Sequence, residues 1–129
     1  MAKITVTPLK EVNGVKFGMK RDEVRKILGT FKGEFKKTPF SKTTTDDFGF
    51  CHVYYDTDGG CEAVEIFDNT EVVVERTTVF PIDMEKAKQI FSDLTEEDGS
   101  FISKSQSVGI YAPYGNMESI LFGIPGYYD

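Results

Sequence analysis

The side chains able to do chemistry gather between residues 46 and 65. Cys51 and His52 are adjacent, the residue types that a nucleophile and its general base require. The run Phe50-Cys51-His52-Val53-Tyr54-Tyr55 reads as a strand, and neighbours on a strand point to opposite faces. The two side chains therefore cannot act together. His52, the single histidine, is expected to be a sheet residue with one satisfied nitrogen. Asp56-Thr57-Asp58-Gly59 has the opening of a calcium loop. Its sixth position is Cys61 rather than glycine and its twelfth is Phe67 rather than glutamate, so a hairpin turn is the better reading. Glu62 and Glu65 could form an acid–base pair, but their separation places them on opposite faces of a strand. The sequence shows no phosphate loop, zinc ligand set or serine-centred elbow. The expectation is a protein that is not an enzyme and that uses neither metal nor cofactor.

The cysteines set the redox reading. Residues 50–55 and 61–67 form strands around the turn at 56–60, a register that pairs Cys51 with Ile66. Cys51 and Cys61 then lie about five positions apart on the ladder, roughly 16 Å at strand rise. That is too far for a disulfide. Two free thiols and a reducing, cytoplasmic setting are expected.

Charge is more informative than chemistry. The 129 residues carry a formal charge of −6. Residues 1–42 hold eleven Lys/Arg against four Asp/Glu, a net of +7, and residues 43–129 hold four against seventeen, a net of −13. The sharpest stretch contains Asp46, Asp47, Asp56, Asp58, Glu62, Glu65, Asp68, Glu71 and Glu75 and no Lys or Arg. Two readings stay open. One is a solvated acidic sheet edge that prevents strand-to-strand aggregation. The other is a docking surface for a basic partner, because complementary potentials speed encounter and exclude wrong partners. The basic segment from Lys16 to Lys37 reads as a solvated helix face that also pairs with the acidic portion. A sequence pI near 4.8 argues against a nucleic-acid ligand. No run approaches the roughly 18 apolar residues of a membrane span. The N-terminal residues lack the apolar core of a signal peptide, and no membrane association is expected.

The elements that position these residues read as α+β: a β-α-β-β-β order written twice. The expected order is a strand at 3–8, a helix at 20–28 and strands at 31–36, 48–56 and 61–67. The second set is a strand at 71–76, a helix at 83–94 and strands at 100–104, 106–112 and 117–122. Residues 37–47 and 95–99 read as loops. Residues 15–28 match residues 78–91 at a shift of 63: Phe17 with Phe80, Met19 with Ile82, Asp22 with Glu85, Ile27 with Ile90. Each helix opens with an apolar residue that can staple onto its first turn. Asp83 is a sound N-cap and Lys20 a poor one, and Gly29 stops the first helix. A second match, at a shift of 56, pairs Tyr55 with Glu62 across one hairpin and Tyr111 with Glu118 across the other. One domain of two similar halves, about 1–69 and 70–129, is predicted. Its antiparallel sheet carries two helices on one face, and each half is marginal alone, so the two are expected to share a core or a continuous sheet.

The run Phe17-Gly18-Met19-Lys20-Arg21-Asp22-Glu23-Val24-Arg25-Lys26-Ile27-Leu28-Gly29 resembles the helix opening of β-lactamase-inhibitor-protein-like domains and of small outer-membrane assembly lipoproteins. In the inhibitor family such units occur as tandem α+β repeats whose concave sheet grips an enzyme. The resemblance implies a non-catalytic, protein-binding scaffold. Small acidic α+β chains of this kind also look like the immunity proteins of bacterial toxin systems.

The functional expectation is an intracellular inhibitor, an immunity protein that occludes a cognate toxin. Many toxins act on nucleic acid through a basic surface, for which a carboxylate-rich sheet could compete. The candidate contact residues are Asp46, Asp47, Asp56, Asp58, Glu62 and Glu65, with Tyr54, Tyr55, Tyr111 and Tyr114 as aromatic anchors. The alternative is a small-molecule or regulatory module whose aromatics, including the tail 123–129, line a pocket. That tail can equally be a lid on the core.

Overall fold

The computed structural model describes residues 2–67 and 69–129; Asp68, part of the acidic stretch, lies outside them. The chain runs β1 (Ala2–Thr7), β2 (Glu11–Val12), β3 (Val15–Lys16), α1 (Arg21–Leu28), β4 (Gly33–Phe35), β5 (Thr45–Asp47), β6 (Cys51–Tyr55) and β7 (Cys61–Phe67). It continues with β8 (Thr70–Val74), β9 (Thr77–Phe80), α2 (Met84–Ile90), β10 (Thr95–Glu97), β11 (Ser100–Ser103), β12 (Val108–Tyr111) and β13 (Ser119–Gly123). The class is α+β, with two short helices and two sheets. The smaller sheet has the order β3-β2-β1-β8-β9 and the larger β10-β11-β12-β13-β7-β6-β5-β4. The large sheet is antiparallel throughout. The small one contains a parallel pair, β1 with β8, in place of the all-antiparallel arrangement predicted.

The helix ends follow from their local sequence. Asp83 accepts the Lys86 N–H at 2.9 Å and caps α2. Lys20 stands at the α1 cap and makes no side-chain bond there. Gly29 takes φ 61° and ends α1, its N–H bonded to the Arg25 carbonyl. The second helix stops at Ile90, short of the predicted 94, and Phe91 turns the chain away with φ −108° and ψ 87°.

Three hairpins differ from expectation, and tight turns make all of them. Asn13 and Gly14, Glu75 and Arg76, and Asp98 and Gly99 each hold two successive positive φ angles, the geometry that matches the twist of paired strands. They create the β2–β3, β8–β9 and β10–β11 hairpins. Residues 95–99, expected to be a loop, are therefore a strand and its turn. The predicted 48–56 strand starts only at Cys51, while β5 forms at 45–47 inside the other expected loop. The β-α-β-β-β order is thus not the element order of either half.

The predicted pairing of Cys51 with Ile66 is present, and both cysteines are free and buried. Burial pushes each thiol up to about 12, which removes its nucleophilic form at neutral pH. Near the turn the register differs: Tyr55 pairs with Cys61, and a bulge follows. Tyr111 pairs with Ser119. The shared Tyr/Glu cross-strand pair is therefore not formed in either hairpin.

One face of the large sheet holds the core. Cys51, Val53, Tyr55, Val64, Ile66, Val108, Ile110, Ile120 and Phe122 project from it. Ile4, Val6, Val72 and Val79 of the small sheet join the same cluster, as do Val24, Ala87 and Phe91 around the helices. Both helices therefore pack on one side, which leaves the opposite face of the large sheet to be explained.

Candidate functional site

The acidic stretch divides between the two sides of the large sheet. On the core side, Asp46 is 0% exposed. Arg25 donates to it from Nε at 3.0 Å and from Nη2 at 2.8 Å, Arg21 from Nη1 at 2.9 Å, and the Tyr55 hydroxyl at 2.9 Å. The two arginines come from one face of α1, four residues apart. Their guanidinium groups lie over aromatic faces, Arg21 above Tyr55 at 4.4 Å and Arg25 above Phe31 at 3.9 Å. The hydrogen bond to Asp46 raises the Arg25 pKa. Burial, reinforced by the bond to Asp46, keeps Tyr55 protonated well above its ordinary range. Asp46 and Tyr55 were expected at a docking surface. Both are core residues instead, because the basic helix uses the carboxylate as its counter-ion.

The opposite face carries the half-buried His52, Tyr54, Glu65 and Phe67 and the exposed Tyr111, in register with one another and with the buried Ala63 and Ser119: His52 with Glu65, Tyr54 with Ala63, Phe67 with Ser119 and Tyr111 with Ser119. Tyr54 donates from its hydroxyl to Glu65 Oε1 at 2.7 Å, and Ser119 donates to Glu65 Oε2 at 2.7 Å. Burial and the bond to Glu65 raise the Tyr54 pKa. His52 sits edge-on between Phe35 and Phe67, with ring centroids 5.0 and 4.7 Å away, and its Nε2 lies 3.6 Å from Asp47. The bulge changes one expectation. It turns Glu62 onto the side of Tyr54 and Tyr127, where all three line a cleft of about 380 Å³. Glu62 and Glu65 thus border one face rather than two. Burial and the neighbouring Asp56 push the Glu62 pKa up, and Lys37 partly offsets them.

The C-terminal tail covers part of this face. Tyr127 packs onto Gly123 and Tyr128 onto Gly109, each filling the space a Cβ would occupy. The two rings meet at 5.1 Å in an edge arrangement. A glycine inside a strand often marks such a close approach. Sequence reasoning counted the tail tyrosines only as pocket or lid candidates and passed over Phe67 and Ser119. Gly109 and Gly123 were the available signal for the tail, and no local signal marks Ser119.

Of the remaining predicted residues, Asp56 lines the same cleft as Tyr54 and Glu62, and Asp47 lies beside His52. Asp47 accepts the Gly49 N–H at 2.8 Å, and Asp56 accepts the Asp58 and Gly60 N–H groups at 2.9 and 3.0 Å. Both carboxylates hold turns. Asp58 is exposed on the β6–β7 turn, and Tyr114, 87% exposed, tops the β12–β13 turn. The strand directions put these turns at opposite ends of the sheet. Of the ten candidates, the structure gathers Tyr54, Asp56, Glu62, Glu65 and Tyr111 along this face.

Among the described residues, no group of three or more His, Cys, Asp or Glu is placed to hold a metal ion. No helix is long and apolar enough to cross a membrane. Comparison with family models, curated proteins and solved structures finds no match.

Proposed function

We propose that the chain is a non-catalytic binding module that occludes a basic surface of a partner protein, as an immunity protein occludes its toxin. The binding surface is the open face of the large sheet. One observation carries this reading. Glu62 and Glu65 share that face with Tyr54, Phe67 and Tyr111, and among the described residues no Lys or Arg forms an ion pair with either carboxylate. Lys37, 4.7 Å above the Tyr54 ring, offsets Glu62 only in part. Negative charge without an ion-pair partner steers a basic partner, and aromatic side chains beside it supply contact area at little entropic cost. The clefts on this face are open to solvent, which favours a broad macromolecular contact over an enclosed small ligand.

The reading includes two further points. A toxin that handles nucleic acid presents the kind of basic surface required, and the partner meets this chain in the cytoplasm, where buried free thiols persist. The scaffold is taken as two related halves, 1–69 and 70–129, in the manner of tandem α+β inhibitors. The strand order supports this: β7, β6, β5 and β4 follow outward on one side of the β7–β13 pair, and β13, β12, β11 and β10 on the other.

The test is affinity capture from the native host with immobilised wild type, Glu65→Lys, Tyr111→Ala and, on β10, Glu97→Lys. Wild type and Glu97→Lys are expected to retain the same basic protein, and the two open-face variants to lose it. Retention by all four, or by none, contradicts the proposal.

A further inference from the structure

We propose that the cleft walled by Glu65, Tyr111 and Ser119 is the subsite that receives an arginine side chain of the partner. This inference rests on the open-face reading above and adds the chemistry of one contact. Two depressions, of about 160 and 490 Å³, meet at these three residues. Tyr128 and Leu121 border the first, Phe67 and Glu118 the second.

The Glu65 carboxylate is held in place before any ligand arrives. Tyr54 bonds one oxygen and Ser119 the other, each at 2.7 Å. An ionised carboxylate has about four acceptor positions, so each oxygen keeps capacity for a further donor. A guanidinium, with five N–H groups in a planar fork, can supply one to each oxygen. The aromatic walls add to the match, because a planar, weakly hydrated guanidinium stacks on rings while a compact ammonium keeps its water. Glu118, at the margin, contributes a second negative charge.

The chain itself has no arginine for this place. It contains three: Arg21 and Arg25 are engaged by Asp46, and Arg76 lies on the β8–β9 turn of the other sheet. The occupant therefore comes from outside.

The experiment is a ¹H–¹⁵N NMR titration of the full chain with N-acetyl-arginine amide, and in parallel with its neutral isostere N-acetyl-citrulline amide and with N-acetyl-lysine amide. Saturable shifts at Glu65, Tyr111 and Ser119 are expected with the arginine probe, weaker ones with lysine and none with citrulline. Glu65→Gln, whose spectrum also reports its folding, is expected to weaken the arginine probe about tenfold or more, the scale of a charge-assisted hydrogen bond. Tyr111→Leu is the second variant, expected to weaken it less. Equal binding of citrulline, unchanged affinity in Glu65→Gln, or shifts confined to other regions overturns the subsite. A partner captured by Glu65→Gln but lost by Tyr111→Ala removes the arginine contact and leaves the open-face reading standing.

Discussion

Asp46 and Glu65 come from one acidic stretch and sit on opposite sides of one sheet. Asp46 receives three guanidinium bonds and a phenol and is closed to solvent. Glu65 receives two hydroxyls, has no cationic partner among the described residues, and borders two clefts. The net charge of a segment therefore does not tell how much of it faces outward. What separates the two carboxylates is the element that packs over each, a basic helix for one and a partial cover of tyrosines for the other.

The comparison breaks most visibly at Asp46. Asp46→Ala removes the buried carboxylate on which both arginines converge and leaves them only the half-exposed Glu34, 2.7 Å from Arg21 and 3.9 Å from Arg25. Loss of the buried member of such a network costs about 3 kcal/mol. Urea unfolding is expected to show that loss; a change below about 1 kcal/mol would mean that the network is solvated like a surface pair. Gly123→Ala comes next. A Cβ there meets Tyr127 at 2.7–2.8 Å, so the tail must lift or the strand must shift, at about 1–3 kcal/mol. Faster amide exchange over residues 124–129 is the expected signature, and an unchanged tail would contradict the close packing.

A smaller effect sharpens the open face. The folded pKa of Glu62 is raised above its ordinary 4.5, first by burial and then by Asp56. The folded state then holds this proton more tightly than the unfolded chain does. Its contribution is fully present below about pH 4.5 and is lost as pH rises through the raised folded value. Relative to wild type, Glu62→Gln is expected to gain stability over that rise, read as a widening gap in denaturation midpoints between pH 4 and 7. The smallest effect is at Tyr114. Its ring is exposed at the sheet's far end, and Tyr114→Ala is expected to change stability by less than about 0.5 kcal/mol and partner retention not at all.

Local signals made part of this legible. Gly29 and Asp83 marked helix ends, and the 56–60 turn set the β6–β7 register and hence the free thiols. The pairing of basic α1 with the acidic portion was also foreseen. Asn13-Gly14 and Asp98-Gly99 are strong hairpin dipeptides, and the second lies within the segment 95–99 expected to be a loop. Glu75-Arg76 carries no such mark, although it takes the same left-handed angles. The burial of Asp46 was illegible for a different reason. Thr43-Thr44-Thr45-Asp46-Asp47 looks like a polar loop, and its guanidinium partners lie 21 and 25 residues away. The bulge that brings Glu62 round to the open face depends on register rather than on any residue type.

The most direct measurement is amide hydrogen exchange on the wild-type chain, alone and with the basic partner recovered by capture. Added protection is expected on the open-face strands β6, β7, β12 and β13 and on the C-terminal tail, with α1 and β5 around Asp46 unchanged. Protection that appears at α1 and β5, with the open face unaltered, would contradict the assignment of the open face as the binding surface.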